Sequence, residues 1–176
     1  ERGGLKIEKD ETLILMDKQG SIEGVSVRDH FDAHMLIEEL MILANVAASS
    51  SLANNVCIYR VHEQPSEEKI MDLIYTLAGL GITLDDDVDL LALEPADVQR
   101  IIEKVVEHDG NNNNLILVLR AMKKACYSNS NSGHFGLALK GYSHFTSPIR
   151  RYPDLALHRQ IKKLILDSSP GGFEYD

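Results

Sequence analysis

The residues best suited to chemistry lie close together near one end of the chain. They are Ser147-Pro148-Ile149-Arg150-Arg151, with His144 just before them and His158-Arg159 just after. Two adjacent arginines offer guanidinium forks that can grip phosphate oxygens at two points each. Ser followed by Pro is a helix-opening pair, with Ser as the cap and Pro at the first helical position. Such a start leaves backbone N–H groups unpaired and presents the positive end of the helix dipole. Together these features suit a phosphate, or the charge that develops on a phosphoryl group in a transition state. The competing reading is an ion pair between Arg150 or Arg151 and an acid from the first half of the chain. His144 either hydrogen-bonds the helix start or faces the ligand, and Arg159 reaches either phosphate or Glu38 and Glu39.

Other polar groups carry less. Glu38 and Asn45, seven residues apart, share a helix face opposite the stripe Leu36, Leu40, Leu43, Ala44 and Ala47, and a solvated face is the plain reading. Asp85-Asp86-Asp87-Val88-Asp89 reads as a solvated loop or helix cap. His30 and His34 flank Asp32 like a metal pair, but Asp32 as a helix cap leaves His30 outside the helix. The seven His and two Cys form no zinc or nucleophile constellation. Cys57 and Cys126 lie far apart and read as buried thiols in a reducing cytoplasm.

These residues need elements to position them. Leu5 to Glu8, Thr12 to Met16 and Ser21 to Val27 read as strands, with a turn at Asp17-Lys18-Gln19-Gly20. From Asp32 the apolar spacing becomes helical to about Ser50. Ile58 to His62 is a short strand. Helices follow from Ser66 to Gly79 or Gly81, from Pro95 to Glu107, and from an Asn114 cap through Leu115 to about Tyr127. Phe135 to Phe145 reads as extended, and the last helix begins at Thr146-Ser147-Pro148. Pro153 inside it implies a bend, or a short first turn before a main helix from Asp154. The class is α+β, with helices packed on a mostly antiparallel sheet.

The chain has 176 residues, room for one domain with a hydrophobic core. Its formal net charge of −9 is unevenly spread. Arg120 to Lys163 holds nine basic residues against one acid, Asp154, while residues 1 to 119 hold nine basic and 23 acidic residues. A basic segment in an acidic protein implies either a local polyanion site or a helix face paired with the acidic half. No window approaches the ~20 apolar residues of a membrane-spanning helix. Without an initiator Met or signal-peptide pattern, both ends read as cuts inside a longer protein.

The run Gly141-Tyr142-Ser143-His144-Phe145-Thr146-Ser147-Pro148-Ile149-Arg150-Arg151-Tyr152-Pro153-Asp154-Leu155, then His158-Arg159, resembles the signature of the ribonuclease II and ribonuclease R family (the RNB catalytic domain). Asp32-Ala33-His34 through Glu38-Glu39 to Ala44-Asn45-Val46-Ala47-Ala48 resembles a conserved family helix. Gly133-His134-Phe135-Gly136-Leu137-Ala138-Leu139 resembles the strand entering the signature, with Ala121-Met122-Lys123 and Tyr127 upstream. The resemblance covers most of residues 1 to about 166 and is closer to ribonuclease R. It implies that residues 1–176 are the C-terminal half of an RNB domain, from a processive 3′→5′ exoribonuclease that releases 5′-nucleotides. Its substrate would be RNA, single-stranded or with a 3′ overhang.

By the same resemblance, Arg150 is a functional arginine beside the scissile phosphate and Glu38 or Glu39 is a channel-lining candidate, while the reading of the residues themselves adds Arg151, Ser147, His144 and Asn45 as RNA-binding candidates. Mg²⁺ is the implied cofactor, held by an upstream aspartate cluster that this chain lacks, so the chain alone is expected to be inactive. Cold-shock-like and S1-type barrels would also lie outside it. A half domain should expose an apolar seam and self-associate. The alternative is a non-catalytic RNA-binding module or scaffold that keeps the fold.

Overall fold

Asp17 folds the first two strands back on each other. Its carboxylate accepts from the Gln19 and Ser21 amides at 2.8 and 2.9 Å, and Gly20 takes the left-handed φ of +85° that the turn needs. The strands β1 (Thr12–Met16) and β2 (Ile22–Val27) therefore pair antiparallel, with an irregularity between Leu15 and Met16. The computed structural model describes residues 3–6, 12–27, 31–52, 56–84, 92–109 and 114–168.

After the hairpin come α1 (Asp32–Ser51), β3 (Tyr59–Val61), α2 (Glu67–Gly79), α3 (Pro95–Asp109), α4 (Leu115–Ala121), β4 (Cys126–Ser128), a 3₁₀ turn (Phe135–Leu137) and α5 (Tyr152–Ser168). Two apolar clusters hold them. The first joins Ile70, Leu73 and Leu77 of α2 to Val98, Ile101 and Val105 of α3 and Leu115 and Val118 of α4. Spacings of three and four residues put each set on one helix face, which is why the three helices close on one another. The second joins Ala48 and Leu52 at the end of α1, Cys57, Tyr59 and Val61 around β3, and Leu157 of α5. Here β3 pairs antiparallel with β4, placing Arg60 opposite Tyr127 on the face away from Tyr59 and Val61.

The α+β class holds, although the antiparallel pairing falls into two separate two-stranded ribbons. Three local expectations are corrected. The helix expected to reach Tyr127 ends at Ala121, because Cys126 and Tyr127 are drawn into the β3 ladder. Phe135 to Phe145 opens with a 3₁₀ turn closed by Ala138 in the left-handed region, φ 52°. Leu5 and Lys6 are not in a strand: the Leu5 amide donates to the Gly136 carbonyl and the Lys6 amide to the Gln99 side chain. Residues 7 and 8 of that expected strand lie outside the described residues, as do His30 and Asp85 to Asp89.

The caps also differ from expectation. Phe31, not Asp32, is the cap of α1, and its amide donates to His34 Nδ1 at 3.0 Å. Neither Ser66 nor Asn114 makes a side-chain cap bond. Of the two thiols, Cys57 is buried and Cys126 is exposed.

The largest correction concerns α1. The stripe expected to form its core face is the exposed one, with Leu36 at 61% and Leu43 at 63% exposure. The buried face is Asn45, Ala48 and Ser49. Apolar spacing located the helix but not the side that packs within this chain. Among the described residues, no helix is long and apolar enough to cross a membrane.

Candidate nucleic-acid interface

The segment Gly141 to Arg151 runs between α1, β3 and α5, and each of them grips it. Gly141 passes so close to its neighbours that a Cβ there would lie 3.1 Å from the Asn131 amide nitrogen and 3.4 Å from Ser49 Oγ. The Arg60 amide donates to the Tyr142 carbonyl at 2.8 Å. Asn45, 3% exposed, donates through Nδ2 to the Tyr142 hydroxyl at 2.9 Å, and its Oδ1 accepts from the amides of Phe145 (2.8 Å) and Thr146 (3.2 Å). Ser143 Oγ lies 3.3 Å from Cys57 Sγ, both buried. His158 stacks on Phe145 with ring centroids 4.0 Å apart and donates from Nε2 to the Phe145 carbonyl at 2.9 Å.

This grip ends in a turn that carries the two arginines. The Ser147 carbonyl accepts from the amides of Arg150 (3.3 Å) and Arg151 (3.0 Å). Only at Tyr152 does α5 begin, so Ser147-Pro148 precedes the helix instead of opening it. Pro153 then falls in the first turn, where a missing N–H costs nothing and no bend is needed.

Asp154, with no exposed surface, fastens the turn. Its Oδ1 accepts from the Ser147 amide at 2.8 Å and from the Arg151 guanidinium at 2.7 Å. The acid that pairs with Arg151 thus comes from its own turn and not from the first half of the chain. Among the described residues, buried Asp154 Oδ2 and Arg151 Nε find no hydrogen-bond partner. Arg150 is exposed beside a fully exposed Ile149, and among the described residues no carboxylate pairs with it. Arg151 is committed to the fold, whereas Arg150 is open to solvent.

A layer of rings backs the turn. The Tyr127 hydroxyl lies 2.8 Å from His144 Nδ1, and His144 meets the rings of Tyr127 and Tyr142 edge-on. His144 therefore bonds a tyrosine and not a helix start. Burial, reinforced by Arg151 and to a lesser degree by Arg60 and Arg150, pushes its pKa down to about 4, with Asp154 opposing. The ring is neutral at pH 7. Burial and then the neighbouring His62 likewise lower His134 to about 4. His62 accepts from the Gly136 amide at Nδ1, so its proton sits on Nε2 and is donated to the Lys123 carbonyl at 2.7 Å.

The structure thus gathers His144, Ser147, Arg150 and Arg151 on one segment, with Asn45 beneath it. Asn45's polar atoms are taken up by protein partners, so it holds the segment and does not face a strand. Glu38 and Glu39 are exposed on α1, about two turns before Asn45. Arg159 is exposed on α5. Sequence reasoning missed Arg60 and Asp154. The alternation of Tyr59, Arg60 and Val61 was the signal for the first. An acid placed three residues after Arg151 was the signal for the second. Among the described residues no three His, Cys, Asp or Glu side chains converge.

Comparison with known proteins is consistent across methods. The RNB domain family model matches residues 1–167. Ribonuclease R of Vibrio cholerae is 44% identical over 167 residues, which are 94% of this chain and 20% of that protein. Ribonuclease R of Escherichia coli K12 is 40% identical, covering 99% of this chain and 22% of its own. The chain therefore spans about a fifth of the length of these relatives. Mycoplasma genitalium RNase R, solved in complex with ribose-methylated single-stranded RNA, superposes with a TM-score of 0.81 at 34% identity, over 91% of this chain and 25% of that one. The same enzyme with double-stranded RNA gives 0.79 at 34% identity, over 92% and 29%. Yeast Ssd1, a pseudonuclease, shares the fold at 23% identity and a TM-score of 0.60, over 84% and 18%.

Proposed function

The chain belongs to the RNB domain family, and on that premise we propose that it is part of a metal-dependent, processive 3′→5′ exoribonuclease acting in the cytoplasm. The substrate is RNA, single-stranded or with a 3′ overhang, and the products are 5′-nucleotides. The observation that carries this reading is Arg150. Its guanidinium is exposed, lacks an acidic partner among the described residues, and projects from a turn fixed by buried Asp154. A pre-positioned cation of this kind stabilises charge developing on a phosphoryl oxygen without reorganising at the moment of reaction. Arg151 and Asp154 keep the turn's shape, and Asn45 ties it to α1. Ribonuclease R relatives and the RNA complexes of the M. genitalium enzyme support RNA as the ligand.

Magnesium in such an enzyme activates water and neutralises the leaving oxygen. Its carboxylates are assigned to the longer protein, and what this chain supplies is charge and position. The chain alone is therefore inactive. Incubated with Mg²⁺ and 5′-labelled single-stranded RNA, neither the chain nor its Arg150→Ala variant should shorten the RNA on a gel. Shortening by the unaltered chain would place the metal site within these residues and overturn that assignment.

A further inference from the structure

Arg60, half-buried on β3, is another cation of this region with no ion pair among the described residues. Strand register places it opposite Tyr127 on the outward face of the β3–β4 ribbon, with its guanidinium 4.8 Å from the Tyr127 ring centroid. No ion pair to Arg60 exists among the described residues, so its charge is not cancelled locally. Tyr127 is 42% exposed and its hydroxyl is tied to His144. The field of Arg60 reaches the same imidazole as that of Arg150, since both depress its proton affinity. Two guanidiniums with no ion pair among the described residues therefore act on one neutral ring, whereas the Arg151 charge is met by Asp154. A guanidinium held over an aromatic ring can still offer N–H donors to phosphate oxygens and loses less entropy on binding than a free one.

We propose that Arg60, braced on Tyr127, forms a second RNA contact: it holds a backbone phosphodiester neighbouring the one at Arg150. The inference rests on the RNA reading of Arg150 and extends it from one arginine to a path. Tyr127 and His144 act as positioning residues for the Arg60 guanidinium. A cross-strand cation–π pair that served only the ladder would need no ligand, and the test separates the two roles.

The experiment is fluorescence anisotropy of a labelled single-stranded oligoribonucleotide without metal, over a series of salt concentrations. The unaltered chain is compared with Arg60→Gln and Arg150→Gln, with circular dichroism confirming the fold of each. Arg60→Gln is expected to weaken binding roughly five- to tenfold at low salt and to reduce the salt slope by about 0.7, the share of one single-strand phosphate contact. Cross-linking of 4-thiouridine RNA to the unaltered chain, which needs no variant, should label Tyr127 as well as the 147–152 turn. An unchanged slope and affinity for Arg60→Gln beside a weakened Arg150→Gln overturns this inference alone. Cross-links confined to the turn do the same. Absence of RNA binding by the unaltered chain overturns both this inference and the reading beneath it.

Discussion

Neighbouring arginines of the same type play different parts here because of one buried carboxylate. Asp154 satisfies the Ser147 amide and the Arg151 guanidinium with a single oxygen, and so builds the turn that displays Arg150. Its replacement by Asn would leave a largely buried guanidinium without a counter-charge, at a cost of about 2–4 kcal/mol. Asn45→Ala would strand the Tyr142 hydroxyl and two amides, costing about 2–3 kcal/mol. Urea denaturation of both variants checks these figures, and a loss below ~0.5 kcal/mol in either would contradict the holding role assigned to it.

Protonation gives a second handle at this scale. His134 and His144 titrate near 4 in the folded chain, against an ordinary 6.5. Between these values the unfolded chain binds protons that the folded chain refuses. Their contribution to stability is therefore complete above about pH 6.5 and is lost as pH falls toward 4. Thermal melts should show Tm falling from pH 7 to pH 5, with a shallower fall in His134→Gln. A Tm unchanged between pH 7 and 5 in the unaltered chain would contradict the buried neutral state.

At the scale of elements, the 3₁₀ turn and β3 meet at a contact with no spare room. A Cβ on Gly136 would lie 2.8 Å from His62 Nδ1, the atom that accepts the Gly136 amide. Gly136→Ala should therefore destabilise by about 1–3 kcal/mol, and removing the imidazole by His62→Ala should make the two changes less than additive. Strict additivity in a denaturation cycle would rule out the contact. The same element shows why the sequence was only partly legible. Helices α2 and α3 were readable because their apolar residues repeat on one face that packs within the chain. The end of α4 was not, because Tyr127 takes its conformation from β3, far away in sequence. The helix expected to open at Ser147 begins at Tyr152, because Ser-Pro is also a turn signal and only the Asp154 bond decides between them. The arginine pair stood out from type and spacing as candidate phosphate ligands, but which of the two stays exposed depended on burial.

At the scale of the whole molecule, the hairpin and the first turns of α1 expose Leu13, Ile14, Leu15, Val25, Leu36 and Leu40 in succession. These large apolar side chains are more numerous than the scattered ones normal on a monomer. The chain by itself is accordingly expected to self-associate, with light scattering showing a mass that rises with concentration and falls back in a Leu36→Glu/Leu40→Glu variant. A strictly monomeric mass at high concentration would argue against it. The central claim concerns the exoribonuclease proposed to contain this chain. Its rate of 3′-end shortening of single-stranded RNA, compared with that of Arg150→Ala at saturating RNA and Mg²⁺, tests that claim most directly. The account predicts that kcat falls about 10²–10³-fold with KM changed far less, as expected for a donor that acts on transition-state charge. An Arg150→Ala enzyme that degrades RNA at the unaltered rate would contradict it.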